Sequence, residues 1–157
     1  MILPTGHTRS TNALMESLRS TLLEFEDVNG NTLEDIIGEN LYRRAAPANT
    51  AFPYGVMRLD TRRSNGFNPL RKTGTLEIQL YGRPSSQLED ISDAADRCEQ
   101  AMAFYVDSSG GGLAFVNDVQ RTELPEGSAP VDGETCGIRL VFTLVIWPAF
   151  LSSLTLS

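Results

Sequence analysis

Apolar residues recur at helical spacing between positions 12 and 25, where Leu14, Met15, Leu18, Leu22 and Phe25 share one face. This predicts an amphipathic helix with Thr11 or Asn12 as its N-cap and Asn29-Gly30 beyond its end. A Thr32-x-x-Asp35 cap pattern before Ile36 and Ile37 predicts a short helical turn over 32–38, and 41–44 reads as a brief strand. After a loop over 45–53, residues 54–62 read as a strand. Residues 73–81 alternate, with Leu76, Ile78 and Leu80 on one face. The two strands are expected to pair as a hairpin. Their connection holds Asn65-Gly66 and Asn68-Pro69 and is too long for a tight turn, so an Arg-rich loop at about 61–73 is expected to project.

A capping box, Ser86-x-x-Glu89, introduces the strongest helical pattern, with Leu88, Ile91, Ala95, Cys98, Met102 and Tyr105 at steps of three and four. Glu89, Asp90, Asp93, Asp96 and Glu99 lie on its far side, either as a solvated face or as a docking surface for arginines. Gly110-Gly-Gly breaks the chain before a strand over 113–123. The last strand sets Ile138, Leu140, Phe142, Leu144 and Ile146 against Arg139, Val141, Thr143, Val145 and Trp147, so it is apolar on nearly both faces. Such a strand belongs in the middle of a sheet, and Val141, Val145 and Trp147 need a cover, for which a neighbouring subunit is one candidate.

These elements predict an α+β fold: an antiparallel four- to five-stranded sheet, two main helices on one face and a long projecting β-hairpin. The 157 residues suit a single domain over 1–148, followed by an apolar extension over 149–157. That extension, with Phe150, Leu151 and Leu154, either folds back on its own sheet or reaches a partner.

Charge changes this picture more than composition does. Seven of the thirteen basic residues, Arg43, Arg44, Arg58, Arg62, Arg63, Arg71 and Lys72, fall in one segment that contains a single acid, Asp60. The rest of the chain is strongly acidic, for a net charge of −7 and a pI of about 4.7. The balance disfavours a general nucleic-acid binder, and a chain carrying both signs in separate regions suggests self-association.

Candidate chemistry is sparse. His7 is the one histidine, which excludes a multi-histidine metal site and a histidine-based triad. Cys98 sits on an apolar helix stripe and reads as a core thiol, and Cys136 reads similarly; two cysteines without C-x-x-C spacing suggest a reduced cytoplasmic birthplace. Gly110-Gly-Gly-Leu precedes a strand and lacks the Gly-Lys-Ser/Thr of a phosphate loop. No signal peptide is expected from 1–6, and the longest apolar run, 140–151, is interrupted by Thr143 and Pro148. The expectation is a soluble protein without catalytic residues, metal or cofactor.

Several strings resemble the tail terminator (tail completion) family of long-tailed bacteriophages, over roughly residues 11–147. They are Ala51-Phe-Pro-Tyr-Gly-Val-Met entering a strand, Gly74-Thr-Leu-Glu-Ile-Gln-Leu-Tyr-Gly after a long hairpin, the helix carrying Asp93-Ala-Ala-Asp, and the final Arg139-Leu-Val-Phe-Thr-Leu-Val-Ile. The segment 29–38 and the apolar extension depart from the family pattern. The resemblance implies a virion protein at the head–tail junction, assembled in the host cytoplasm as a hexameric ring. Such a ring sits on the last tail tube subunits, stops tube growth and joins the head connector, with DNA only passing through the lumen. Another neck or minor tail component, or an α+β binding module unrelated to phages, fits the same pattern. Within this frame Arg58, Arg62, Arg63, Arg71 and Lys72 are expected to meet carboxylates such as Glu89, Asp93 and Asp96 of a neighbour, while Trp147, Phe150, Leu151 and Leu154 supply apolar contact.

Overall fold

A computed structural model describes residues 11–63, 72–103, 105–107, 113–124 and 135–147. Helix α1 (Thr11–Glu24) and the one-turn α2 (Glu34–Ile37) precede β1 (Leu41–Arg43), β2 (Tyr54–Arg63) and β3 (Lys72–Gly82). Helix α3 (Pro84–Ala103), the two-residue β4 (Val106–Asp107), β5 (Leu113–Leu124) and β6 (Cys136–Trp147) follow.

The fold is α+β, with one six-stranded sheet in the order β1-β2-β3-β6-β5-β4. β2 and β3 pair antiparallel from Tyr54↔Tyr81 to Arg63↔Lys72, as the alternation predicts, and β6 lies between β3 and β5. The sheet exceeds the expected four to five strands and is mixed. β4 escaped notice because two residues carry no period, and β1 joins β2 in parallel. The parallel pairing follows from the loop 44–53, which carries the chain back to the end of the sheet where β1 began. Its Ala46 and Phe52 pack against the buried Tyr54, Val56 and Tyr81 on the helix-free face.

The main core lies on the other face. Leu76, Ile78, Leu80, Leu140, Phe142 and Leu144 are buried beneath Leu14, Leu18 and Leu22 of α1 and Ile91, Ala95, Cys98 and Met102 of α3. At roughly 1.5–3 kcal/mol per large apolar side chain, this layer dominates the stability. α2 adds a third helical element through Leu33 and Ile37, and its cap is reciprocal. Thr32 N–H donates to Asp35 Oδ2 at 2.8 Å and Asp35 N–H to Thr32 Oγ1 at 3.3 Å. Arginines fasten this region: Arg19 donates to the carbonyls of Leu41 (2.9 Å) and Glu39 (3.0 Å), and Arg97 to that of Thr32.

Two local expectations change. α3 begins at Pro84, two residues ahead of Ser86, because proline's fixed φ suits a first helical position. Gln87 Oε1 then accepts from Arg83 N–H at 2.9 Å. Leu88, placed on the buried stripe by its spacing, is 59% exposed, because it lines an open groove with Arg121, Leu124 and Ile138 instead of packing into the core. On the helix-free face Val145 is buried within the single chain, while Val141 and Trp147 are half-buried. Val145 therefore needs no neighbouring subunit to cover it.

Candidate functional site

The basic segment occupies one margin of the sheet. β2 sends alternate side chains to the helix-free face, so Arg58, Asp60 and Arg62 stand in a row opposite Glu77, Thr75 and Thr73 of β3. Arg62 has 82% of its side chain exposed, with Asp60 at 3.6 Å. Arg58 donates through Nε and Nη2 to the Arg44 carbonyl, both at 3.3 Å, which holds its guanidinium near the turn where Arg44 takes a φ of 72°. Arg43 turns to the other side and pairs with Glu16 of α1 at 2.9 Å. Two shallow grooves meet at Arg58. One, of about 680 Å³, is lined by Asn12, Met15, Arg43, Arg44 and Leu59; the other, of about 520 Å³, by Asp60, Arg62, Thr73, Thr75 and Glu77. Both are open and rimmed mostly by charged and polar residues, unlike the enclosed pocket of a small-molecule site.

The acidic face of α3 lies at the opposite margin. Glu89, Asp90 and Asp93 are exposed. Asp96 accepts from Arg121 Nη1 of β5 at 2.6 Å, Glu99 lies 3.7 Å from the same nitrogen, and Arg121 Nη2 also reaches Ser92 Oγ at 3.2 Å. The helix acids thus border the outer edge of β5, and Asp96 already has a partner within the chain. Arg121 is the residue that sequence reasoning missed. No pattern in the sequence links it to α3, since Arg121 and Asp96 stand 25 positions apart.

Lys72 is half-buried on β3 beside Arg63, whose side chain, like Arg71, Phe150, Leu151 and Leu154, lies outside the described residues. The structure keeps the two charged groups apart. Arg58 and Arg62 stand on β2, while Glu89 and Asp93 stand exposed on α3, whose Asp96 meets β5, three strands away from β2 in the sheet.

No protein-family model matches the chain, and a search of curated proteins finds no match. The function must therefore be argued from the surfaces themselves.

Burial pushes the Cys98 thiol up to about 12, with Glu99 adding to the effect. A thiol held protonated at neutral pH is a poor nucleophile. Burial also raises Cys136, Tyr54 and Tyr81. Ser17 Oγ donates to Asp107 Oδ2 at 2.7 Å and Tyr105 OH to the same oxygen at 3.2 Å, a clamp between α1 and β4. Among the described residues no cluster of His, Cys, Asp and Glu could hold a metal, and no helix is long and apolar enough to cross a membrane.

Proposed function

We propose that this chain is a structural virion subunit that assembles head to tail into a ring at the end of a phage tail tube, ending tube growth and joining the tail to the head connector. The observation that supports this reading best is the separation of charge. Arg58 and Arg62 stand exposed at one margin of the sheet, Glu89 and Asp93 at the other, and neither group pairs with the other within the described chain. A surface and its complement on opposite sides of one subunit is what a heterologous, ring-forming contact requires. The β2–β3 hairpin, whose tip over 64–71, expected to project, lies outside the described residues, is the assembly arm in this reading. Its arginines meet carboxylates of an adjacent copy or of the tube protein, while DNA crosses the lumen without being gripped.

The test is assembly. Native mass measurement and negative-stain imaging of the wild type are expected to show a closed ring, six-fold by resemblance to the tail terminators. Reversing Arg62 and Arg63 to Glu is expected to leave a folded monomer that neither forms rings nor caps tail tubes. Normal rings and normal infectious particles from that variant would overturn the reading. Salt-dependent retention of the wild type on DNA would assign the arginines to the lumen instead.

A further inference from the structure

Each margin of the sheet contains a length of strand with no neighbour among the described residues. β1 pairs only with Gly55, Val56 and Met57 of β2, which leaves 58–63 open. β4 pairs only with Ala114 and Phe115 of β5, which leaves 116–124 open. At the β2 margin the Gly55 N–H donates to the Asn40 carbonyl and the Met57 carbonyl accepts from Arg44 N–H, so odd-numbered residues turn their main chain outward. Leu59, Thr61 and Arg63 continue that row, because the β2–β3 register runs without a shift to Arg63. At the β5 margin the register shifts between Val116 and Asp118, so the regular edge is 118–124.

An open row of main-chain donors and acceptors is a template for another strand. We infer that residues 58–63 of one copy pair with the 118–124 edge of the next, so that the sheets of successive copies run into one another. This rests on the ring reading above and names the contact that builds the ring.

Direction favours it. β2 is antiparallel to β3, β3 to β6 and β6 to β5, so β5 runs opposite to β2. Copies repeated head to tail around an axis along the strands bring these edges together antiparallel, the slightly stronger ladder.

Charge favours it as well. The β2 edge carries Arg58, Arg62 and Arg63 against one acid, Asp60. On the β5 edge the exposed Asp118, opposite Thr143, lies on the same helix-free face as Arg58 and Arg62, while Glu123 lies on the helix face beside Arg121, which Asp96 engages. Pairing β2 with β2 sets arginine against arginine, and pairing β5 with β5 sets acid against acid. Only the mixed pairing sets unlike charges side by side, which selects a head-to-tail contact over a two-fold one.

Shape sets the offset. β1 stops the free β2 edge at Met57, and β4 with the irregularity at Asn117 stops the free β5 edge at Asp118. The two free lengths meet when successive copies slip along the strands. A slipped sheet closes on itself when its strands tilt against the ring axis.

The experiment uses full-length protein followed by analytical ultracentrifugation and binding to tail tubes. Thr61→Pro deletes an outward N–H without touching the ladder to β3, as proline at an open edge does. It is expected to keep the circular dichroism and cooperative melting of the wild type while raising the concentration for half-assembly at least tenfold. Arg58→Glu with Arg62→Glu, and separately Asp118→Arg, are expected to abolish assembly, and all three changes together to restore it. Should Thr61→Pro fail to fold, the combined charge exchange decides alone: rings restored support the edge contact, and a folded variant without rings overturns it. Wild-type rings with Thr61→Pro assembling equally well would overturn the edge contact and leave the ring reading standing. A wild type that stays monomeric with and without tail tubes would overturn both.

Discussion

Cys98 shows how much a single residue's surroundings decide. Its place on the α3 stripe marks it as a core thiol in the sequence, and in the structure it is completely buried with its ionisation suppressed. Iodoacetamide at neutral pH is therefore expected to modify Cys136 slowly and Cys98 only after unfolding; peptide mapping reads both rates, and equal labelling in the native state would contradict this burial. Leu88 belongs to the same stripe by spacing yet lies exposed over a groove against β5 and β6, because periodicity does not show how closely a helix packs on the strands beneath it. Gly82 is similarly silent in the sequence. A Cβ there would stand 2.7 Å from Ile91 Cγ1, closer than packed carbons allow, so Gly82→Ala is expected to lower stability by about 1–3 kcal/mol in a denaturant melt. Asp27 illustrates the charged counterpart: hydrogen bonds from the N–H groups of Asn31 and Asn29 lower its pKa below 3.8. A depressed carboxylate stabilises the fold above its unfolded pKa, and that contribution fades as pH falls through the folded value. Asp27→Asn should accordingly lower stability at pH 7 and bring the variant and the wild type together as pH falls below about 4, as urea melts across pH would show.

Elements were legible where a period ran long enough to be counted. α1, the β2–β3 pair, α3, β5 and β6 all follow from apolar spacing, and the turn at α2 follows from Thr32 and Asp35 alone. What the sequence concealed is what depends on neighbours. β1 is three residues long, and its direction is set by the route of the loop after it; β4 has two residues. The link between β5 and α3 through Arg121 was hidden for the same reason, since strand and helix residues some 25 positions apart share no pattern. Arg121→Ala frees Asp96 on a partly exposed surface, so its cost to stability is expected to be at most about 1 kcal/mol, while the extra exposed acids strengthen the charge of the β5 margin. Thr32→Ala removes half of a reciprocal cap and is expected to cost about 1 kcal/mol, measurable as a shift in urea midpoint.

At the scale of the whole molecule, the charge asymmetry visible in the sequence becomes a spatial one: a basic β2 margin and an acidic β5 margin at opposite sides of a single sheet. The notion of complementary surfaces was legible. Their position on open strand edges was not, because an edge exists only once the pairing order is known. Contacts between exposed charges are screened by salt, so assembly of the wild type is expected to weaken as ionic strength rises well above 0.15 M, which sedimentation across a salt series would register. Order of synthesis supplies a further consequence of that pairing order. The strand that joins β3 to β5 is the last one made, so while a ribosome is still translating the earlier strands, β5 has no place in the sheet. The basic margin is complete by residue 63, but the acidic one becomes fixed only after residue 147 has left the exit tunnel. In the proposed ring, a nascent chain thus presents one half of the contact without the other, and assembly is expected to begin only among finished copies.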